Sequence, residues 1–196
     1  MKKILIVVLA VFLSACSSTT KETFAKEESF KEGIFQKNDL AFYDLSNNIK
    51  INFGMKKTDV EKLIGQPTKT LDYIRLFEYS GISVHYRDDK VSGLILNSEY
   101  DNFDKFITPR GIKMGDNLDI IISKYGNSFI KKEKYNIITL TYFFEKVKGE
   151  FKTITSFKEA RDTKNAYSLS MVILKDIGLS YLMIADHLYS TNPTGK

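Results

Sequence analysis

The sequence predicts an α+β fold, a tandem repeat in which each unit is a short helical segment packed on an antiparallel sheet of about three to four strands. Three observations lead there. Residues 51–67 set a pattern, Ile-Asn-Phe-Gly-Met-Lys-Lys-Thr-Asp-Val-Glu-Lys-Leu-Ile-Gly-Gln-Pro, that residues 112–128 follow without gaps. Glycine brackets a short helical stripe in both copies, Gly54 and Gly65 in the first and Gly115 and Gly126 in the second. After each stripe the hydrophobic period changes to two, the mark of half-buried strands.

In chain order, residues 1–15 read as a secretory signal peptide: Lys2 and Lys3 precede an apolar run from Ile4 to Leu13, then small residues. That run is too short for a stop-transfer helix. Its ending, Leu13-Ser14-Ala15-Cys16, resembles the lipobox of bacterial lipoprotein precursors. The resemblance implies cleavage before Cys16 and acyl chains, palmitate among them, on its sulfur and amine. Residues 16–35 open with Ser17-Ser18-Thr19-Thr20-Lys21-Glu22, too polar to offset the entropy of ordering, and read as a lipidated flexible tether. Phe24, Phe30, Ile34 and Phe35 interrupt it and could form a short docking helix.

The first unit covers residues 36–104. Thr58 is its candidate N-cap; Val60, Leu63 and Ile64 form a core stripe; Gly65 follows as an αL C-cap, and Pro67 blocks continuation. Strands are expected over 70–79, 82–87 and 90–97, joined at Ser80-Gly81 and Asp88-Asp89. The second unit covers residues 105–196, with Asp116 or Asn117 as N-cap, Ile121, Ile122 and Tyr125 as the stripe, and Gly126 as C-cap. Its strands are expected over 137–145, 168–174 and 179–185, the last turn being Asp176-Ile177-Gly178. Residues 146–165 are charged and lack clean alternation, and read as an inserted mobile loop.

Composition narrows the function. Hydrophobic residues make up 43% and charged residues 27%, which is a globular balance. The formal net charge of +5 is spread along the chain with no basic block, so the sequence gives no footprint for nucleic acid. With its only cysteine, Cys16, acylated, no thiol remains for a disulfide, a zinc site or a nucleophile. His85 and His187 are isolated, no metal-ligand spacing occurs, and Gly-x-Ser-x-Gly and phosphate-binding glycine loops are missing. Paired carboxylates such as Asp101 and Asp104 lie beside turns. The expectation is a protein that is not an enzyme and uses neither metal nor cofactor.

The helix motif, Gly54-Met55 followed by Val60-Glu61-Lys62-Leu63-Ile64-Gly65-Gln66-Pro67 and then three strands, resembles the helix-then-sheet repeat of the β-lactamase-inhibitor-like superfamily. That group includes small outer-membrane lipoproteins of the SmpA/OmlA (BamE-like) type. The resemblance implies helices on one side of a continuous antiparallel sheet whose open face binds protein partners. Inhibitory members carry disulfides, absent here, and an acidic residue on a strand-connecting hairpin. Asp88 and Asp89 stand on such a hairpin, although Asp-Asp is also an ordinary turn pair.

Alternation divides the strand faces. With Ile74 and Leu76 turned to the helices, Tyr73, Arg75, Phe77 and Tyr79 fall on the open face, with Ser83, His85 and Arg87 beside them. Aromatic residues mixed with arginine suit protein recognition; the same aromatics could instead pack against the N-terminal segment or the second unit. The sequence thus reads as a membrane-anchored extracytoplasmic lipoprotein, a non-catalytic protein-binding or envelope-scaffolding module. It would face the periplasm from the outer membrane of a two-membrane cell, or stand on the outer face of a single membrane. The alternative is an inhibitor of a cell-wall or β-lactam-handling enzyme acting through Asp88 and Asp89.

Overall fold

The structure, a computed structural model, describes residues 30–44 and 46–194. The expected signal peptide, the Leu13–Cys16 motif and the tether up to residue 29 lie outside the described residues. The described chain runs β1 (Ala41–Asp44), β2 (Ile49–Asn52), α1 (Lys57–Ile64), β3 (Lys69–Leu71), β4 (Leu76–Tyr79), β5 (Ile82–Arg87), β6 (Lys90–Asn97) and β7 (Phe106–Ile107). It continues with α2 (Leu118–Tyr125), β8 (Ile130–Lys134), β9 (Ile137–Val147), β10 (Glu150–Ile154), β11 (Ala166–Leu174), β12 (Gly178–Asp186) and α3 (His187–Thr191).

The expected tandem of helix-on-sheet units is corrected here: the molecule is mostly antiparallel sheet with three short helices. One nine-stranded sheet runs β10-β9-β11-β12-β6-β5-β4-β3, and β8 shares the outer edge of β9 with β10. The seam at the proposed unit boundary is an ordinary ladder, Leu182 opposite Leu96 and Ile184 opposite Leu94. A second sheet, β2-β1-β7, draws its strands from both expected units, with Asp44 opposite Phe106. The physical reason is edge pairing. A motif of turns and caps fixes where helices end, but a three-stranded sheet leaves two open edges that are stabilised by joining.

One apolar cluster fills the space between the large sheet, the small sheet, α1 and α2. Val60, Ile121, Tyr125, Phe42 and Ile51 meet Val84, Leu94, Leu140, Tyr142, Phe144 and Met171 there, all fully buried. Each such side chain contributes about 2 kcal/mol on burial. The C-caps Gly65 (φ 88°, ψ −170°) and Gly126 (φ 77°, ψ −172°) adopt a region open essentially to glycine alone, not the αL conformation expected. Asn117 is the N-cap of α2, its Oδ1 accepting from the Ile120 N–H at 3.0 Å. Thr58 is not the N-cap of α1, which starts from Lys56; the Lys57 N–H is satisfied instead by the Asp89 carbonyl at 2.8 Å.

Two boundaries also move. The tether does not extend to residue 35, because Phe35 is buried and stacked on Phe144 with ring centroids 4.1 Å apart. Arg110 holds this segment, donating to the Lys31 carbonyl at 3.1 Å and the Ile34 carbonyl at 2.6 Å. Residues 146–165 are not a loop throughout: β9 continues to Val147 and β10 pairs back on it, Phe151 opposite Lys146. Beyond β10, the buried Glu145 carboxylate accepts the Arg161 N–H at 2.8 Å and fixes the return of the chain.

Candidate functional site

The residues expected on an open recognition face divide three ways. Phe77 and Tyr79 point toward the core, opposite Val84 and Ile82, and Tyr79 is buried with its hydroxyl 2.9 Å from that of Tyr86. Leu76, expected inside, faces the other side beside His85. The cause is a break in the strand. A 3-10 turn at Asp72–Ile74 and a left-handed Arg75 (φ 52°) reset the alternation, and a one-residue shift exchanges the faces. Tyr73 stands 69% exposed on that turn, and Arg75 is exposed beside it.

His85 is buried, not displayed. Its Nδ1 lies 2.6 Å from the Ser92 hydroxyl, and the Tyr189 ring stacks on the imidazole at 3.9 Å. Burial first, then Arg87, pushes the imidazole down to about 4, against the opposite pull of Asp186. Arg87 makes a two-pronged ion pair with Asp186, 2.5 Å and 3.1 Å. α3 thus covers the middle of the face expected to be open. Asp88 and Asp89 have positive φ (49° and 56°) and form the type I′ turn between β5 and β6. Arg75, Phe77, Asp88 and Asp89 do come together, lining a shallow depression of about 290 Å³ with Lys57 and Tyr86. Lys57 Nζ stands 3.9 Å from the Phe77 ring centre there.

The His187 ring packs edge-on against Phe157, with centroids 4.9 Å apart. Among the described residues no three His, Cys, Asp or Glu side chains gather as a metal-holding group.

Sequence reasoning missed a larger feature, a cleft of about 570 Å³ between the small sheet and the β9–β10 hairpin. Phe53, Phe151 and Tyr167 line it as an aromatic floor, Phe53 meeting Tyr167 edge-on at 5.5 Å. Lys37, Lys50 and Lys146 stand around it, and no Asp or Glu is among the described residues lining it. Lys50 Nζ is held by the Asn38 Oδ1 at 2.8 Å, while Lys37 and Lys146 are exposed and enter no ion pair among the described residues. Apolar contact with a few convergent charges is enough to orient a bound group. Its residues come from four distant parts of the chain, so no motif announces it. The signal available was the Lys-Asn pair before β1 and the aromatics of 151 and 167, none distinctive alone.

No family model matches this chain, and no curated protein matches it. A solved structure of an extracellular protein containing a SCP domain, from Bacillus anthracis str. Ames, is similar with a TM-score of 0.38 and 11% identity. The match covers 80% of this chain and 48% of that one, so the chain spans about half the length of that protein.

Proposed function

We propose that this chain is a membrane-anchored extracytoplasmic lipoprotein acting as a non-catalytic binding module for another envelope protein. The observation that carries the binding role is the cleft: an aromatic floor ringed by Lys37, Lys50 and Lys146 without a lining acid. That chemistry fits an acidic segment bearing an apolar or aromatic side chain, since rings supply contact area and lysines supply complementarity. The anchor rests on Leu13-Ser14-Ala15-Cys16. The sheet face no longer supports the role, because His85 is buried and α3 lies over it.

Crosslinking from intact envelopes tests this reading, with a photoreactive residue in place of Phe151. The cleft with Lys37 and Lys146 intact should capture one partner, and Lys37→Glu with Lys146→Glu should weaken capture at least about tenfold. Both lysines are exposed, so the double variant should keep its thermal midpoint. Undiminished capture by a folded double variant would show that Lys37 and Lys146 do not recognise the partner, and loss of all capture from position 151 in the parent would show that the cleft is not the binding surface.

A further inference from the structure

The end of the molecule away from the cleft carries a different surface. Two hairpin tips lie side by side there, that of β8–β9 and that of β11–β12, tied by the Lys175 N–H donating to the Asn136 carbonyl at 2.9 Å. Lys175 Nζ also reaches Glu133 at 2.7 Å, making the pair of tips one rigid platform. Large apolar side chains project from it: Tyr135 is 83% exposed, Ile177 63% and Ile137 41%. Lysine surrounds them. Lys131, Lys132 and Lys134 lie on β8, every residue of which is exposed, and Lys175 lies on the neighbouring tip. The acids nearby are Glu133, which is shared by Lys131 and Lys175; Asp176; and the exposed Asp119 of α2, which lines a shallow depression with Lys175 and Ile177.

Lysine on an exposed edge strand guards against pairing with other chains. That duty explains neither the projecting Tyr135, Ile137 and Ile177 nor a lysine on the second hairpin. An amphipathic ring and two isoleucines among basic side chains are the chemistry of an interface between water and an anionic bilayer. Among the described residues no helix is long and apolar enough to cross a membrane.

We propose that the paired hairpin tips rest on the anionic lipid surface, with Tyr135, Ile137 and Ile177 entering the headgroup layer and Lys132 and Lys134 engaging lipid phosphates. This rests on the anchoring reading given above and adds the orientation that an anchor alone leaves open. β9 is the ruler. Its 11 residues run from Ile137 at the tips to Val147 beside the cleft residue Lys146, a rise of roughly 30 Å. The cleft is therefore held outward while the tips touch lipid. The anchor permits this. Gly33 lies against Thr153, opposite Phe144 and roughly 24 Å along β9 from the tips. Residues 16–29 can span at most about 50 Å, enough to reach the same surface.

Cys16 is the only native cysteine, and acylation blocks it, so one introduced thiol can be labelled alone. The full lipidated chain carrying Asn136→Cys or Glu150→Cys is labelled with an environment-sensitive dye and reconstituted into phosphatidylcholine vesicles with or without phosphatidylglycerol. Flotation reports the anchor; quenching by aqueous iodide reports the tips. The expected result is several-fold protection of the Asn136 label on phosphatidylglycerol vesicles, little on phosphatidylcholine, and none for the Glu150 label. Lys132→Glu with Lys134→Glu should abolish the protection while the protein still floats. A floating protein whose Asn136 label stays fully quenchable overturns the orientation, as does equal protection of both labels. Protein that fails to float defeats the anchoring reading, and if its Asn136 label is also unprotected in the presence of vesicles, this one falls too.

Discussion

Arg110 shows how one side chain can organise three separated stretches of chain. A guanidinium has five N–H donors in a fixed plane, and all five are used. Nε and Nη2 grip the two carboxylate oxygens of Asp39 at 2.6 and 2.7 Å, and Nη2 also reaches Ile34. Nη1 serves the carbonyls of Lys31 and Lys124, the latter an otherwise orphaned acceptor at the end of α2. Rings flank the guanidinium, with the centre of Tyr125 4.7 Å from Cζ. Removing it strands the buried Asp39 charge, so Arg110→Ala should cost about 3–5 kcal/mol in urea unfolding. Arg110→Lys should not restore the loss, because an ammonium has too few donors for this geometry. Arg110→Met combined with Asp39→Leu should be milder than Arg110→Ala, and a double variant worse than the single would reject the stranded-charge account. His85 gives the second expectation at this scale. Its pKa falls from 6.5 in the unfolded chain to about 4 when folded. Between those values the unfolded chain binds the extra proton, so stability is complete above 6.5 and falls as the pH drops toward 4. The loss should reach about 3 kcal/mol below pH 4, and His85→Gln should flatten that part of the pH profile.

The elements differ in how far their sequences reveal them. The ends of α1 and α2 were legible because Gly65 and Gly126 occupy backbone conformations that other residues avoid, and a local rule can detect a local requirement. The phase of β4 was not legible. Residues 70–79 read as one alternating strand, yet the turn at Asp72–Ile74 and the left-handed Arg75 reverse which side Phe77 and Tyr79 face. α3 was missed because five residues carry too little periodicity. Its one clue was Asp186, whose Oδ1 accepts the Tyr189 N–H at 2.8 Å while the carboxylate also pairs with Arg87. The cleft was illegible for another reason: Phe53, Lys146 and Tyr167 meet only through the long-range pairing of the sheets. Gly93 exposes the cost of disturbing α3. A Cβ there would lie 2.5 Å from the Tyr189 ring, so Gly93→Ala must push Tyr189 off His85. The expected loss is about 1–3 kcal/mol with raised accessibility of the sheet face to proteolysis near α3. Gly93→Ala should cost less in a Tyr189→Ala background, and equal costs in the two backgrounds would mean that the ring is not what the methyl strikes.

At the scale of the whole molecule, the proposed attachment at Cys16 and the described fold occupy different stretches of the sequence. The described fold begins by Phe35, whose ring joins Tyr125, Tyr142 and Phe144 in the core, and everything needed to hold that segment is present in Arg110, Asp39 and the end of α2. With one cysteine in the chain no internal disulfide can form. The core alone must therefore stabilise the fold, and reductant should leave its unfolding midpoint unchanged. Cys16→Ser then separates the two roles. Cells expressing it should lose lipid labelling of the protein and accumulate the uncut precursor, because the lipobox resemblance places both acylation and cleavage at that residue. Urea unfolding of the purified variant should match wild type within about 0.5 kcal/mol if the anchor residue serves attachment alone. A fully processed, lipid-labelled Cys16→Ser protein would refute the assignment of the anchor, and a large drop in stability would mean that the leader region contributes to the fold as well as to its address.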